Sequence, residues 1–197
     1  MEAYEFKQDF SSMTEAEVDR VPMQYDPLGR WQLETGGGAK VPEEWFKAWP
    51  TKAIVAPSDK PLSAWLAAGG YCVSADVKRV IETLAPDVHQ FIPLTVEAGP
   101  VTDRKTHQYY SLHIAERSDD VVIERSEGEW ITSLYNKKNY WSKQSNKPVV
   151  LPAESIKGKH LWRNRPCLMF VMSGELHDRL KALGLLTGLE LQKQIVE

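Results

Sequence analysis

The side chains best suited to acid–base or metal chemistry at neutral pH are the histidines, and here they are dispersed: His89, His107, His113, His160 and His177. His107 and His113 have an even separation and would share one face of a strand. No cysteine or third ligand stands beside them at metal-site spacing. The expectation is therefore that the chain holds no metal and no cofactor. Gly36-Gly-Gly-Ala-Lys40 invites comparison with a phosphate loop, but the hydroxyl residue after the lysine and the wider glycine spacing are missing, so it reads as a turn. Cys72 and Cys167 each lie inside an apolar run. Parity permits a disulfide between them, and the reading adopted is two reduced core thiols. Neither stands where a thiolate would be activated, and no Gly-x-Ser-x-Gly elbow is present.

Carboxylates gather at Asp119-Asp120 and at Glu124, Glu127 and Glu129. Joined by His113 they could serve a small hydrolase, provided they converge in a cleft that splits their pKa values. As turn residues they are simply solvated. Their third use is recognition, in which an acidic rim around Arg125 meets a basic cleft on another protein. Beyond them, Tyr135–Lys147 interleaves Lys137, Lys138, Lys143 and Lys147 with Tyr135, Tyr140 and Trp141. Such a loop could stack on single-stranded nucleic acid or anchor a protein contact. Otherwise it is a solvated loop with Trp141 tucked into the core. The candidate partner-binding set is Glu124, Arg125, Glu127, Glu129, Tyr135, Lys137, Lys138, Tyr140 and Trp141; no catalytic set emerges.

The elements that must position these residues are clearest at the C-terminus. Cys167–Lys193 reads as a buried strand, a helix capped by Ser173 with Leu176, Leu180 and Leu183 on one face, a stop at Gly184 and a second strand. A degenerate copy runs from Tyr71 through a helix capped by Ser74, with Val77, Val80, Ile81 and Leu84 on one face, to a strand at Gln90–Glu97. Pro93 implies that this strand lies at an edge or a bulge. Duplication and convergence explain the echo equally well. Between the copies, Tyr109–Glu116, Val121–Ile123, Trp130–Tyr135, Val149–Leu151 and His160–Trp162 read as strands, and Asn136–Lys147 as an exposed loop. Thr14-Glu-Ala-Glu17 matches a capping box that would open a short helix. The fold class expected is α+β: a mixed, largely antiparallel sheet, a few packed helices and two strand–helix–strand units.

The chain has 197 residues, 42% hydrophobic and 26% charged, enough for one well-buried core with a smaller N-terminal appendage. Residues 1–50, rich in prolines and carrying Trp31, Trp45, Phe46 and Trp49, are expected to wrap a main domain at 51–197. A net charge of −3 argues against a general nucleic-acid binder. The polar N-terminus lacks a secretory h-region, and no apolar run approaches the roughly 18 residues of a membrane span. The reading is a cytoplasmic protein.

One resemblance adds to this. The second half of the chain presents in order the Ser-capped helix, Phe91-Ile-Pro-Leu94, Tyr109-Tyr-Ser-Leu-His-Ile114, Glu124-Arg125-Ser126 and His160-Leu-Trp-Arg163. It closes with Val171-Met-Ser173 and Leu183-Gly-Leu-Leu-Thr-Gly-Leu-Glu-Leu191. Over roughly residues 60–195 this resembles the immunity protein 11 family of bacterial polymorphic-toxin systems, departing from its pattern at Glu124, where aspartate is usual. The resemblance implies a cytoplasmic, non-catalytic protein that binds a cognate toxin and blocks it. It transfers no catalytic residue.

Overall fold

Two serines turn a strand into a helix at the same step of two similar units, and the other elements are assembled around them. The computed structural model describes residues 1–9, 16–18, 39–57, 61–68, 70–100, 102–119, 121–132 and 139–197. In chain order the elements begin with β1 (Ala3–Gln8), β2 (Ala16–Val18), β3 (Lys52–Val55), β4 (Trp65–Ala67), β5 (Tyr71–Ser74) and α1 (Ala75–Leu84). They continue with β6 (Gln90–Ala98), β7 (Lys105–His113), β8 (Arg117–Ser118), β9 (Gly128–Thr132) and β10 (Asn139–Lys143). The last are β11 (Val150–Leu151), α2 (Ala153–Ile156), β12 (Leu161–Asn164), β13 (Phe170–Ser173), α3 (Gly174–Ala182), β14 (Leu189–Lys193) and β15 (Ile195–Val196). Short 3-10 turns cover Glu43–Ala48 and Ile123–Arg125.

The fold is α+β. Among the described residues one sheet has the order β2-β3-β6-β7-β5-β4 and another β14-β1-β13-β12-β8, with β9–β10 and β11–β15 as separate pairs. Pairing is mostly antiparallel; β3–β6, β8–β12 and β11–β15 are parallel. Both expected strand–helix–strand units are present, and each is split in the same way. Strands β5 and β6 both pair antiparallel with β7, which lies between them. Strands β13 and β14 likewise flank β1. Ser74 Oγ accepts the Val77 N–H and Ser173 Oγ the Leu176 N–H, so each hydroxyl satisfies one of the orphan donors at a helix start.

Phe6, Trp65, Val73, Val77, Ile81, Met172, Leu176 and Leu180 form one core in which the helices of both units and a face of both sheets meet. The Thr187-Gly188 turn stitches this core together. The Trp65 N–H donates to the Thr187 carbonyl at 3.3 Å and the Ala64 N–H to its hydroxyl at 3.0 Å. Gly188 has φ +91°, and a Cβ there would meet the Trp65 carbonyl oxygen at 2.5 Å. The far face of the six-stranded sheet buries Ala53, Leu66, Cys72, Leu94 and Val96. The far face of the five-stranded sheet buries Ala3, Trp162 and Val171 against Trp141, Val149, Leu151 and Ile156.

Several expectations are corrected. The capping box at Thr14 opens no helix through its last residues: Ala16–Val18 is a strand on β3, and Thr14 lies outside the described residues. No strand forms over Val121–Ile123: Val121 and Val122 belong to no strand, and Ile123 opens a 3-10 turn over Ile123–Arg125. The strand expected over Trp130–Tyr135 begins two residues earlier, as β9 from Gly128 to Thr132, and residues 133–135 lie outside the described residues. The exposed loop expected over Asn136–Lys147 contains β10, in register with β9 from Asn139↔Thr132 to Lys143↔Gly128. Leu183 leaves the helix face and is 62% exposed. It is the C-cap of a Schellman turn, in which the Leu185 N–H reaches the Leu180 carbonyl and the Gly184 N–H that of Lys181. Although β1 belongs to the segment expected to wrap the main domain, it is paired on both sides by C-terminal strands. Pro93 lies on β6 outside the stretch bonded to β3, which spans Thr95–Glu97, so its missing N–H costs no ladder bond on that side. The cysteines are free: Cys72 is buried in the second core and Cys167 packs against the third.

Candidate partner-binding surface

The residues singled out for recognition fall on β9, β10 and the turn before them, and neighbouring elements hold that region firmly. Ser126 Oγ donates to the Val122 carbonyl at 2.8 Å and accepts the Val150 N–H at 3.0 Å, which ties the acidic turn to β11. Arg125 pairs with the Glu197 carboxylate, its Nη2 lying 2.8 Å from Oε1. The Gln144 N–H donates to the Glu127 carbonyl at 2.8 Å, extending the β9–β10 ladder by one pair. Lys147 Nζ stands 3.3 Å from the Glu127 carboxylate.

Glu124, Arg125, Glu127 and Glu129 are all exposed, and Tyr140 is half-buried. Trp141 is not an exposed anchor. It is 2% exposed in the third core, its N–H donates to the Pro166 carbonyl at 3.0 Å, and its ring covers Gly128, where a Cβ would meet it at 2.3 Å. An alternation that breaks at lysines hides this strand: only Trp141 of β10 is buried outright. Tyr135, Lys137 and Lys138 lie outside the described residues.

The exposed ring on this surface is one that sequence reasoning placed in a strand and did not select. Trp130 is 63% exposed and sits opposite Trp141. Its i±2 neighbours, Gly128 and Thr132, give it no apolar stripe to join, and that is the signal that could have found it. The exposed loop position expected for Lys143 is corrected: its ammonium is buried, 2.7 Å from Glu5 Oε2 on β1, with hydrogen bonds to Gln192 Oε1 at 2.9 Å and the Lys147 carbonyl at 3.2 Å. Of the four lysines read as a nucleic-acid face, the two described are thus held by Glu5 and Glu127.

The hydrolase constellation is not assembled. His113 is buried on β7, where Nε2 donates to the Ala39 carbonyl at 2.8 Å and the ring meets Trp49 edge-on; Glu124, Glu127 and Glu129 are exposed around β9. Burial holds the His113 imidazole below its ordinary pKa. Asp119 makes a bidentate pair with Arg165, Nε to Oδ1 at 2.7 Å and Nη2 to Oδ2 at 2.6 Å, and Asp120 lies outside the described residues. Among the described residues no three His, Cys, Asp or Glu side chains converge as metal ligands. Burial pushes the Cys72 thiol up to about 11 and the Cys167 thiol to about 12. A cleft of about 550 Å³ lies between α1 and α3, lined by Val80, Leu183 and Leu185 among others, and contains none of the candidate residues. Its arginines, Arg79 and Arg179, pair with Asp76 and Glu175. No helix among the described residues is long and apolar enough to cross a membrane.

The features that do gather on β9 and β10 are contact chemistry: an exposed ring, unburied carboxylates and a strand edge that no strand among the described residues pairs with. The sequence matches the model of the Immunity protein family (Imm11) over residues 11–195, and the chain belongs to that family. The match reaches far into the N-terminal segment, beyond the residues that carry the resemblance in the sequence. No curated protein matches the sequence.

Proposed function

We propose that this protein is a non-catalytic, cytoplasmic immunity protein of a polymorphic-toxin system, which binds a cognate toxin and neutralises it by occlusion. The observation that carries the reading is the family match across residues 11–195. The contact surface draws on Glu124, Arg125, Glu127, Glu129 and Tyr140, with Trp130 taking the anchoring place that Trp141 cannot fill. Exposed aromatic rings flanked by charge are favoured anchors, and an acidic surface suits a toxin whose active cleft is basic.

The test is co-expression. The product of the gene immediately upstream is expected to arrest growth alone and to be silenced by this chain, with the two co-eluting as a stoichiometric complex. Alanine at Trp130, Tyr140 or Glu127 should weaken that complex by at least about 1 kcal/mol at one or more positions. Rescue of growth without a stable complex would count against occlusion. A harmless upstream product would remove the reading's main support.

A further inference from the structure

Among the described residues, the backbone of β9 pairs with β10 on one side and with no strand on the other. The Trp141 N–H points away from β9, to the Pro166 carbonyl at 3.0 Å, so Trp141↔Trp130 is a pair that exchanges no hydrogen bonds. The N–H and C=O of Trp130 therefore face the opposite side of β9, and alternation places those of Gly128 and Thr132 there too. Glu127 agrees with this phase, since its carbonyl faces inward to Gln144. Among the described residues no strand pairs along this outer edge.

Unpaired edges template further strands, and native proteins blunt them with proline, lysine, bulges or covering elements. Here the register is continuous from Gly128 to Thr132, no proline interrupts it, and four of its five residues are exposed. Among the described residues, the charged side chains on β9 and just before it are the carboxylates Glu127 and Glu129. Glu127 and Glu129 would repel their counterparts in a second copy, and Glu124 and Glu129 have no cationic partner among the described residues. That arrangement rejects self-pairing and selects a basic strand. Trp130 supplies a ring beside the edge for a partner side chain to cover. Trp141 and the Glu5–Lys143 contact hold the edge in place beforehand, which lowers the ordering cost of binding.

We propose that the outer edge of β9, through Gly128, Trp130 and Thr132, receives an extended lysine- or arginine-bearing segment of the toxin as an added β-strand. This rests on the toxin-binding reading above. The experiment uses the full chain and the purified product of the upstream gene. Residue-resolved hydrogen exchange should show the Gly128, Trp130 and Thr132 amides exchanging freely in the isolated chain and strongly protected in the complex. The Glu129 and Ile131 amides, already bonded to β10, should change little. Beyond the loss of the ring, which Trp130→Ala shares, Trp130→Pro removes an outward-facing N–H that the β9–β10 ladder does not use, and it should raise Kd at least tenfold beyond Trp130→Ala, while Glu129→Lys should slow association. Unchanged exchange at all three amides, or equal affinities for the proline and alanine variants with folding intact, overturns the edge and leaves toxin binding standing. Protection that grows with the concentration of the isolated chain would assign the edge to a second copy, which also overturns the proposal. Absence of any complex with the upstream product removes both readings.

Discussion

Lys143 of β10 places Nζ 2.7 Å from Oε2 of Glu5 on β1, with the two side chains only 9% and 3% exposed. Among the described residues that Glu5 oxygen accepts no hydrogen bond, so the contact is one of charge, while Gln192 and the Lys147 carbonyl take hydrogen bonds of the ammonium. The pair joins the β9–β10 hairpin to β1, the second strand of the five-stranded sheet. Removing one partner leaves a buried charge without compensation, which is where ion pairs become expensive. Lys143→Met is expected to cost about 3 kcal/mol in denaturant unfolding. Lys7, 3.6 Å from the other Glu5 oxygen, offsets part of the loss. Adding Glu5→Gln to Lys143→Met should recover much of the stability. A double variant no better than the single one would show that charge is not what holds the hairpin.

Gly128 makes a second, purely steric demand on the same hairpin. A Cβ there would stand 2.3 Å from the Trp141 ring and 2.4 Å from the Ser142 carbonyl oxygen. Neither the buried ring nor the ladder backbone can withdraw. Gly128→Ala is expected to destabilise by about 2 kcal/mol, in the range of overpacked cores. An alanine variant as stable as the parent, measured by thermal unfolding, would mean the ring can swing aside.

The two capped helices test how alike the two split units are. Each serine hydroxyl accepts an N–H three residues on, and losing such a cap costs about 1 kcal/mol. Ser173 also lies 3.3 Å from His160 Nδ1. Ser173→Ala should therefore cost more than Ser74→Ala in paired unfolding curves. Equal losses would mean that the His160 contact contributes nothing.

Local signals carried a good part of this architecture. Ser74, Ser173 and Gly184 act within one helical turn, so their roles can be read without knowing the fold. Thr187-Gly188 was visible as punctuation, but its work is done on the backbone of Trp65, on another sheet and far away in sequence. The candidate surface was harder to read. Lys143 looks solvated until Glu5 is brought to it by β1, and Trp141 looks exposed until Gly128 makes room for its ring. Both facts depend on tertiary pairing that no local period encodes. Trp130 carried the converse signal, an aromatic residue with no apolar stripe to join.

His89, between α1 and β6, is 6% exposed, and neither ring nitrogen has a hydrogen-bond partner among the described residues. Burial first, then the nearby His113 and Lys40 charges, pull its pKa from 6.5 down to about 4. The sign follows from proton uptake. Between these values the unfolded chain binds a proton that the folded chain refuses, so stability is complete above about pH 6.5 and drains away as pH falls toward 4. A displacement of this size corresponds to about 3 kcal/mol. Leucine at this position has no proton to take up and no polar atom to bury. His89→Leu should leave stability at pH 7 unchanged or slightly raised. Between pH 7 and pH 4 the variant should lose about 3 kcal/mol less than the parent. Denaturant unfolding curves at three or four pH values would decide it: parallel pH profiles for the two proteins would show that His89 is not the group that makes this fold acid-sensitive.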